Sequence, residues 1–257
     1  MKNFSKLLST VLLIGLATTA SAQLVDQKDV SITLDMQPVL ELEMTTPNQI
    51  DFIFDEITEY QAGITQPGAT ILKVSATVNW DLYAVGRSEA GTRFWDQQVS
   101  YGSTTNSVAN LPLSLLELKQ SRANSGDANA TGTYSDYSAA FSTTQAAATG
   151  ANSLFVNNTG SATPPTAADK YIAGHLGTLA GDSMTAGTYL NNSGTASDFY
   201  YVMDYRIAPG LPAIFPNAFI ADGDTAEDIA TTSGNASAYA EGGVYTMYVQ
   251  YVLLEDQ

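Results

Sequence analysis

Residues 72 to 84 constrain this chain more than any other stretch. Leu72, Val74, Ala76, Val78, Trp80, Leu82 and Ala84 fall on one parity, and Lys73, Ser75, Thr77, Asn79, Asp81 and Tyr83 on the other. Successive side chains of a strand point to opposite faces, so the run reads as a strand with one buried and one wetter face. A helix would need its apolar positions at every third or fourth residue. Trp80-Asp81-Leu82 sends two large side chains the same way into a core.

Further runs repeat the pattern. Val30, Ile32, Leu34 and Met36 alternate, followed by Leu40, Leu42 and Met44, and then by Ile50, Phe52 and Phe54. Pro38, Thr46-Pro47-Asn48 and Gln66-Pro67-Gly68 punctuate them with turn chemistry. Ile57 to Ile64 offers an edge segment. Near the other end Phe199, Tyr201, Met203, Tyr205 and Ile207 alternate until Pro209-Gly210-Leu211-Pro212 breaks the strand. After Gly242-Gly243, Tyr245, Met247, Val249, Tyr251 and Leu253 share one face.

Between these blocks, from about 100 to 197, Ala, Ser, Thr, Gly and Asn dominate, and Phe141 to Pro165 carries no charge. The expectation here is long loops over one end of the fold, the surface that would face a partner. Leu111 to Leu118 is a firmer island, either a bulged strand or a short helix after Pro112. Leu154-Phe155-Val156 suits a short strand, and Thr166 to Leu179 a helix weakened by Gly174 and Gly177. Strands at both ends around a loop-rich middle require pairing between distant segments. The expected fold is therefore all-β: a single Ig-like antiparallel β-sandwich with a long loop-rich insertion.

The beginning of the chain predicts its compartment. Lys2 and Lys6, the apolar stretch Leu7 to Leu16 and Ala20-Ser21-Ala22 make a secretory signal peptide over residues 1–22. The mature domain is then 23–257, exported to the cell surface, the extracellular space or the periplasm. No later apolar run reaches the roughly 20 residues of a membrane helix, so direct membrane insertion is not expected. There is no cysteine, which removes thiol nucleophiles, lipid attachment at a cleavage-site cysteine and disulfide staples. That absence favours a bacterial exported protein. Without Lys2 and Lys6, 8 basic residues face 26 acidic ones, a net charge of −18. Such a surface repels phosphate backbones, so nucleic acid is a poor partner.

Catalytic residue types are sparse. His175 is the sole histidine, no Gly-x-Ser-x-Gly elbow accompanies it, and a zinc site of the usual ligands is excluded. Two acidic clusters remain, Asp55, Glu56 and Glu59, and Asp222, Asp224, Glu227 and Asp228. A glycosidase needs two such acids across a cleft, whereas acids adjacent in a turn make a hydrated loop. The second cluster places hard oxygen ligands on a turn and suits calcium as well as a solvated loop. No other cofactor is expected, and no catalytic residue is assigned. Tyr134, Tyr137, Tyr171 and Tyr189 lie among Ser, Gly and Asn in the loop-rich zone. They fit either ligand-facing rings or ordinary loop anchors.

In order along the chain, Pro38-Val39-Leu40 leads to Ile50-Asp51-Phe52. Next comes Leu72-Lys73-Val74, ending in Trp80-Asp81-Leu82, and then Leu111-Pro112-Leu113. Last, Gly243-Val244-Tyr245 precedes Tyr251-Val252-Leu253. This succession resembles bacterial surface β-sandwiches of the WxL-domain type and, more loosely, fimbrial or spore-coat-like subunits. Tyr251 stands where the family's second motif has tryptophan. The resemblance implies a core built on Trp80, Leu82, Tyr245, Tyr251 and Leu253, and a place at the cell surface. The implied role is a non-catalytic structural or adhesive protein, with envelope components, other surface subunits or itself as partners. The alternative is a carbohydrate-binding module using the tyrosine-bearing loops. Val30 to Met36 offers a strand that could pair with a neighbouring subunit's sheet edge.

Overall fold

A computed structural model describes residues 26–121, 137, 139–141, 152–156, 164–165, 171–174, 200–207, 234–235 and 237–255. Among them the strands are β1 (Leu40–Met44), β2 (Ile64–Ala76), β3 (Trp80–Arg87), β4 (Asp96–Ser100), β5 (Ser107–Val108) and β6 (Leu116–Ser121). They continue with β7 (Tyr171–Ala173), β8 (Tyr200–Ile207), β9 (Tyr239–Ala240), β10 (Gly243–Thr246) and β11 (Tyr248–Glu255). One short helix, α1 (Ile57–Ala62), and a 3₁₀ turn, Leu113–Leu115, accompany them. The fold is all-β, as the alternation predicts.

The chain divides into two units, Met1–Gln37 and Pro38–Gln257. In the first, residues 26–37 form neither helix nor strand, and Val30, Ile32, Leu34 and Met36 are at least 80% exposed. Alternation alone does not make a strand there, because a strand needs a neighbour to satisfy its backbone groups.

In the second unit, one four-stranded antiparallel sheet runs in the order β1-β2-β8-β6. A three-stranded sheet runs β11-β3-β7, and β10 pairs with β4 and β5 with β9. The pairing is long-range, as expected: β8 lies against β2, and β11 against β3 from Tyr248↔Arg87 to Glu255↔Trp80. One apolar core takes Leu72, Val74, Leu118, Tyr201 and Met203 from the four-stranded sheet, and Trp80, Leu82, Ala84 and Ile172 from the three-stranded one. Each such leucine contributes about 1.5–3 kcal/mol by leaving water. The Trp80 ring meets Tyr201 edge-on, with centroids 6.2 Å apart.

The run from Leu72 to Ala84 is thus two strands in two sheets. The chain turns at Thr77-Val78-Asn79, where the Thr77 N–H donates to the Val39 carbonyl at 2.9 Å and its hydroxyl accepts from the Val39 N–H at 2.7 Å. Parity survives because both strands turn those side chains into the same core. The wetter face survives only in β2, where Lys73 and Ser75 are half-buried. In β3 Asp81, Tyr83 and Val85 are buried too, because Tyr171 and Phe155 cover the outer face. The Gly86 N–H donates to the Phe155 carbonyl at 2.7 Å, and a Cβ on Gly86 would lie 2.8 Å from Leu154 Cδ2. An alanine there would press on the end of the Leu154 side chain.

Several expectations need correction. Ile57 to Ile64 begins as a helix, because Glu59 Oε2 accepts from the N–H groups of Asp55 (2.8 Å) and Glu56 (2.9 Å), which satisfies donors at the helix start. Gly63, at φ 71°, then ends it. Ile50, Phe52 and Phe54 form no strand, yet their side chains pack against the core. Leu111 to Leu118 combines both readings, a 3₁₀ turn followed by β6. Leu154 to Val156 makes a single bridge, from Val156 to Gly86, and the preceding Ser153 bridges to Glu117. Within Thr166 to Leu179, Tyr171–Ala173 is strand, paired with β3; the rest of that segment, Gly174 aside, lies outside the described residues.

The loop-rich zone is also more than loops. It supplies β6, β7 and the fully buried Leu113, Leu118, Tyr137, Leu154 and Ile172. Leu113, Leu118 and Leu154 fall on the islands that the sequence marks, whereas β7 lies in a segment expected to be helical.

Candidate functional site

An open, largely apolar groove lies between two sheet edges. β1 is the outer strand of the four-stranded sheet and β11 of the three-stranded sheet. Among the described residues, β1 pairs only with β2, and β11 only with β3. The cleft between them measures about 300 Å³ and is lined by Leu40, Leu42 and residues 250–253 of β11.

Local sequence explains the lining. β1 reads Leu-Glu-Leu-Glu-Met, so Leu40 and Leu42 pack towards the core while Glu41 and Glu43 face water. Glu43 lies 3.3 Å from Lys73 on the neighbouring strand. On the other wall, Val249, Tyr251 and Leu253 pack against the core from one parity of β11. Gln250 holds the Arg87 guanidinium at 2.7 Å, and Val252 and Leu254 join the cluster around Tyr83.

Three hydroxyls meet beside this wall. The Tyr205 hydroxyl donates to Thr70 Oγ1 at 2.7 Å, and the Tyr251 hydroxyl bonds to that of Tyr205. Burial pushes both phenols above their ordinary value, that of Tyr251 well above, where proximity to Tyr205 adds to the effect. Both stay neutral at physiological pH. The groove therefore offers apolar walls and strand edges that pair on one side only among the described residues, and none of its described lining residues is charged.

A second polar group ties β4 to the C-terminal strands. Glu241 accepts from Gln97 Nε2 at 3.0 Å and from the Ser100 hydroxyl. Those two hydrogen bonds, Ser100's first, hold its carboxyl below the usual range. The Tyr245 hydroxyl donates to the Glu241 carbonyl at 2.8 Å.

The residues singled out from the sequence are distributed as follows. Trp80 and Leu82 are fully buried, and Tyr251 and Leu253 pack against the same core, so the two W-x-L-like elements share it. Tyr245 packs instead in a smaller cluster with Leu111, Leu115 and Ala238. Tyr137 and Tyr171 are fully buried and act as anchors: the Tyr137 hydroxyl accepts the Phe155 N–H at 3.1 Å, and the Tyr171 hydroxyl donates to the Pro165 carbonyl at 2.9 Å. Their rings face the interior, so neither is presented to a ligand. Asp55, Glu56 and Glu59 form the start of a helix and not a pair of opposed acids. Tyr134, Tyr189, His175 and the acidic cluster Asp222, Asp224, Glu227 and Asp228 lie outside the described residues. Among the described residues, no three His, Cys, Asp or Glu side chains gather as a metal site would need. No helix among them is long and apolar enough to cross a membrane.

Sequence reasoning missed Leu40 and Leu42 as groove residues, since alternation does not tell an edge strand from a central one. It also missed the pairing of Glu117 with Arg206. Their parity on apolar strands was the available signal.

No protein-family model and no curated protein matches this chain. Fold and groove together define its class: an all-β protein with an open apolar edge.

Proposed function

We propose that this chain is an exported, non-catalytic β-sandwich that serves at the cell surface as a structural or adhesive subunit. The observation that carries the reading is the apolar groove between β1 and β11, bounded on both sides by strand edges that pair on one side only among the described residues. An edge of this kind recruits another extended chain through main-chain hydrogen bonds, with side-chain pockets giving specificity. The signal-like residues 1–22, the acidic composition and the WxL-like order of motifs support a surface location. Sharing of one core by the two sheets supports the sandwich.

Fractionation of cells expressing the full chain tests the reading. The protein is expected in the surface or envelope fraction with residues 1–22 removed, and a cytoplasmic, uncleaved product would sink it. A glycan array tests the rival carbohydrate-binding role: a saccharide-specific signal above background would favour that module, and its absence favours the structural subunit.

A further inference from the structure

We infer that residues 30–36 of one copy of this chain lie along the β1–β11 groove of a second copy, adding a strand to the β11 edge. The inference deepens the structural reading above by naming the partner.

Three observations converge. First, Val30, Ile32, Leu34 and Met36 are 83%, 88%, 80% and 81% exposed, while Ser31, Thr33 and Asp35 hold the alternate parity. Four large apolar side chains on one parity, all in water, are a strand surface without its sheet. Second, the dimensions agree. Seven residues of strand span about 23 Å and the eight of β11 about 26 Å at about 3.3 Å per residue. Third, the β11 edge is unguarded. Exposed edges usually carry lysine, proline or an inward charge against unwanted pairing, yet Tyr248 to Leu254 contains none of these. In the groove, the apolar parity would meet Leu40, Leu42, Tyr251 and Leu253, and Ser31, Thr33 and Asp35 would stay in water.

The occupant comes from a second copy because the chain offers no tight reversal before β1. Only Gln37, Pro38 and Val39 separate Met36 from Leu40, and Val39 is already bonded to Thr77 through both its N–H and its carbonyl. Two-residue hairpin turns need positive φ, which proline at 38 cannot adopt. Segment and groove are different surfaces, so the contact is head-to-tail, and repeating it builds an open-ended fibre.

The test uses the mature chain, residues 23–257, and two double variants that add the same charge on opposite parities. Sedimentation of the wild type should show species growing from monomer to multimers with concentration. Ile32→Asp/Leu34→Asp should remain monomeric, whereas Ser31→Asp/Thr33→Asp should assemble like the wild type. Circular dichroism of the monomers should agree, since the altered side chains lie outside the core. Amide exchange at 30–36 should slow on assembly, and a synthetic peptide of residues 26–37 in excess should shorten the multimers. A wild type monomeric at every concentration overturns the inference. So does equal behaviour of the two variants, or a monomer already protected at 30–36. A chain that reaches the surface fraction without assembling would overturn this inference alone and leave the surface reading standing.

Discussion

Glu117 on β6 and Arg206 on β8 stand directly opposite each other, with Glu117 Oε2 2.5 Å from Arg206 Nε and both side chains less than 10% exposed. The guanidinium carbon also lies 4.6 Å from the centre of the Phe141 ring. Taking two charges out of water is costly, and their attraction offsets that cost only while both are present. Glu117→Ala should therefore destabilise the protein by about 3–5 kcal/mol, because it takes the carboxylate from a buried cation. Replacing both residues together, Glu117→Leu with Arg206→Leu, should cost far less than either single change. Urea denaturation of the three variants checks this. Additive losses would show that the pair is not coupled.

The hydroxyl chain Thr70–Tyr205–Tyr251 makes a second prediction. Tyr205→Phe takes one hydrogen bond from each of the other two hydroxyls, at a cost of about 1–3 kcal/mol. The pH dependence has a definite sign. Both phenols have folded-state values above the unfolded value of about 10. Above that pH the unfolded chain releases protons that the folded chain retains, so stability falls as pH rises. Denaturant midpoints should be level between about pH 7 and pH 9 and decline beyond pH 10, less steeply in Tyr205→Phe. A flat profile to pH 11 in the wild type would contradict the assignment.

Much of this core was legible from period two alone. Leu72, Val74, Trp80, Leu82, Tyr201 and Met203 all face inward as their parity requires. What parity could not supply was the partner of each strand. Leu72 to Ala84 kept its phase through a turn, so one run concealed two sheets. Val30 to Met36 alternates as cleanly as β2 yet forms no strand, because alternation describes a face and not the neighbour that satisfies the backbone. The Glu59 hydrogen bonds at the start of α1 decided that segment locally, against its apolar positions. Of the groove, the Tyr251 and Leu253 wall followed from the last alternation. The β1 wall did not, since edge position depends on strand order.

Trp80 is fully buried in a core shared by residues of both sheets, so its removal should weaken both at once. Trp80→Ala should cost about 3–5 kcal/mol, the range for large aromatic truncations. The unfolding curve should remain a single transition, because Leu72 and Val74 on one sheet and Leu82 and Ala84 on the other share its cavity. Two separated transitions by circular dichroism and fluorescence would mean that the sheets are independently stable.

Gly174 follows β7 at φ 65°, and a Cβ there would run into the carboxylate of buried Asp81 and lie 3.0 Å from the Trp80 carbonyl. Gly91 has nearly the same φ, 68°, but nothing within 4 Å of its Cβ position. The pair separates two effects that alanine substitution usually mixes. Gly91→Ala carries only the left-handed backbone penalty, about 1–2 kcal/mol. Gly174→Ala carries that penalty and a collision with groups that the β3–β7 pairing fixes in place. Asp81 cannot swing away, since it is fully buried in the central strand of its sheet. Gly174→Ala should therefore destabilise clearly more than Gly91→Ala, and amide exchange should quicken in Tyr171–Ala173 only in the former. Equal losses in the two variants would mean that the close approach of Gly174 to Trp80 and Asp81 contributes nothing to holding β7 on β3.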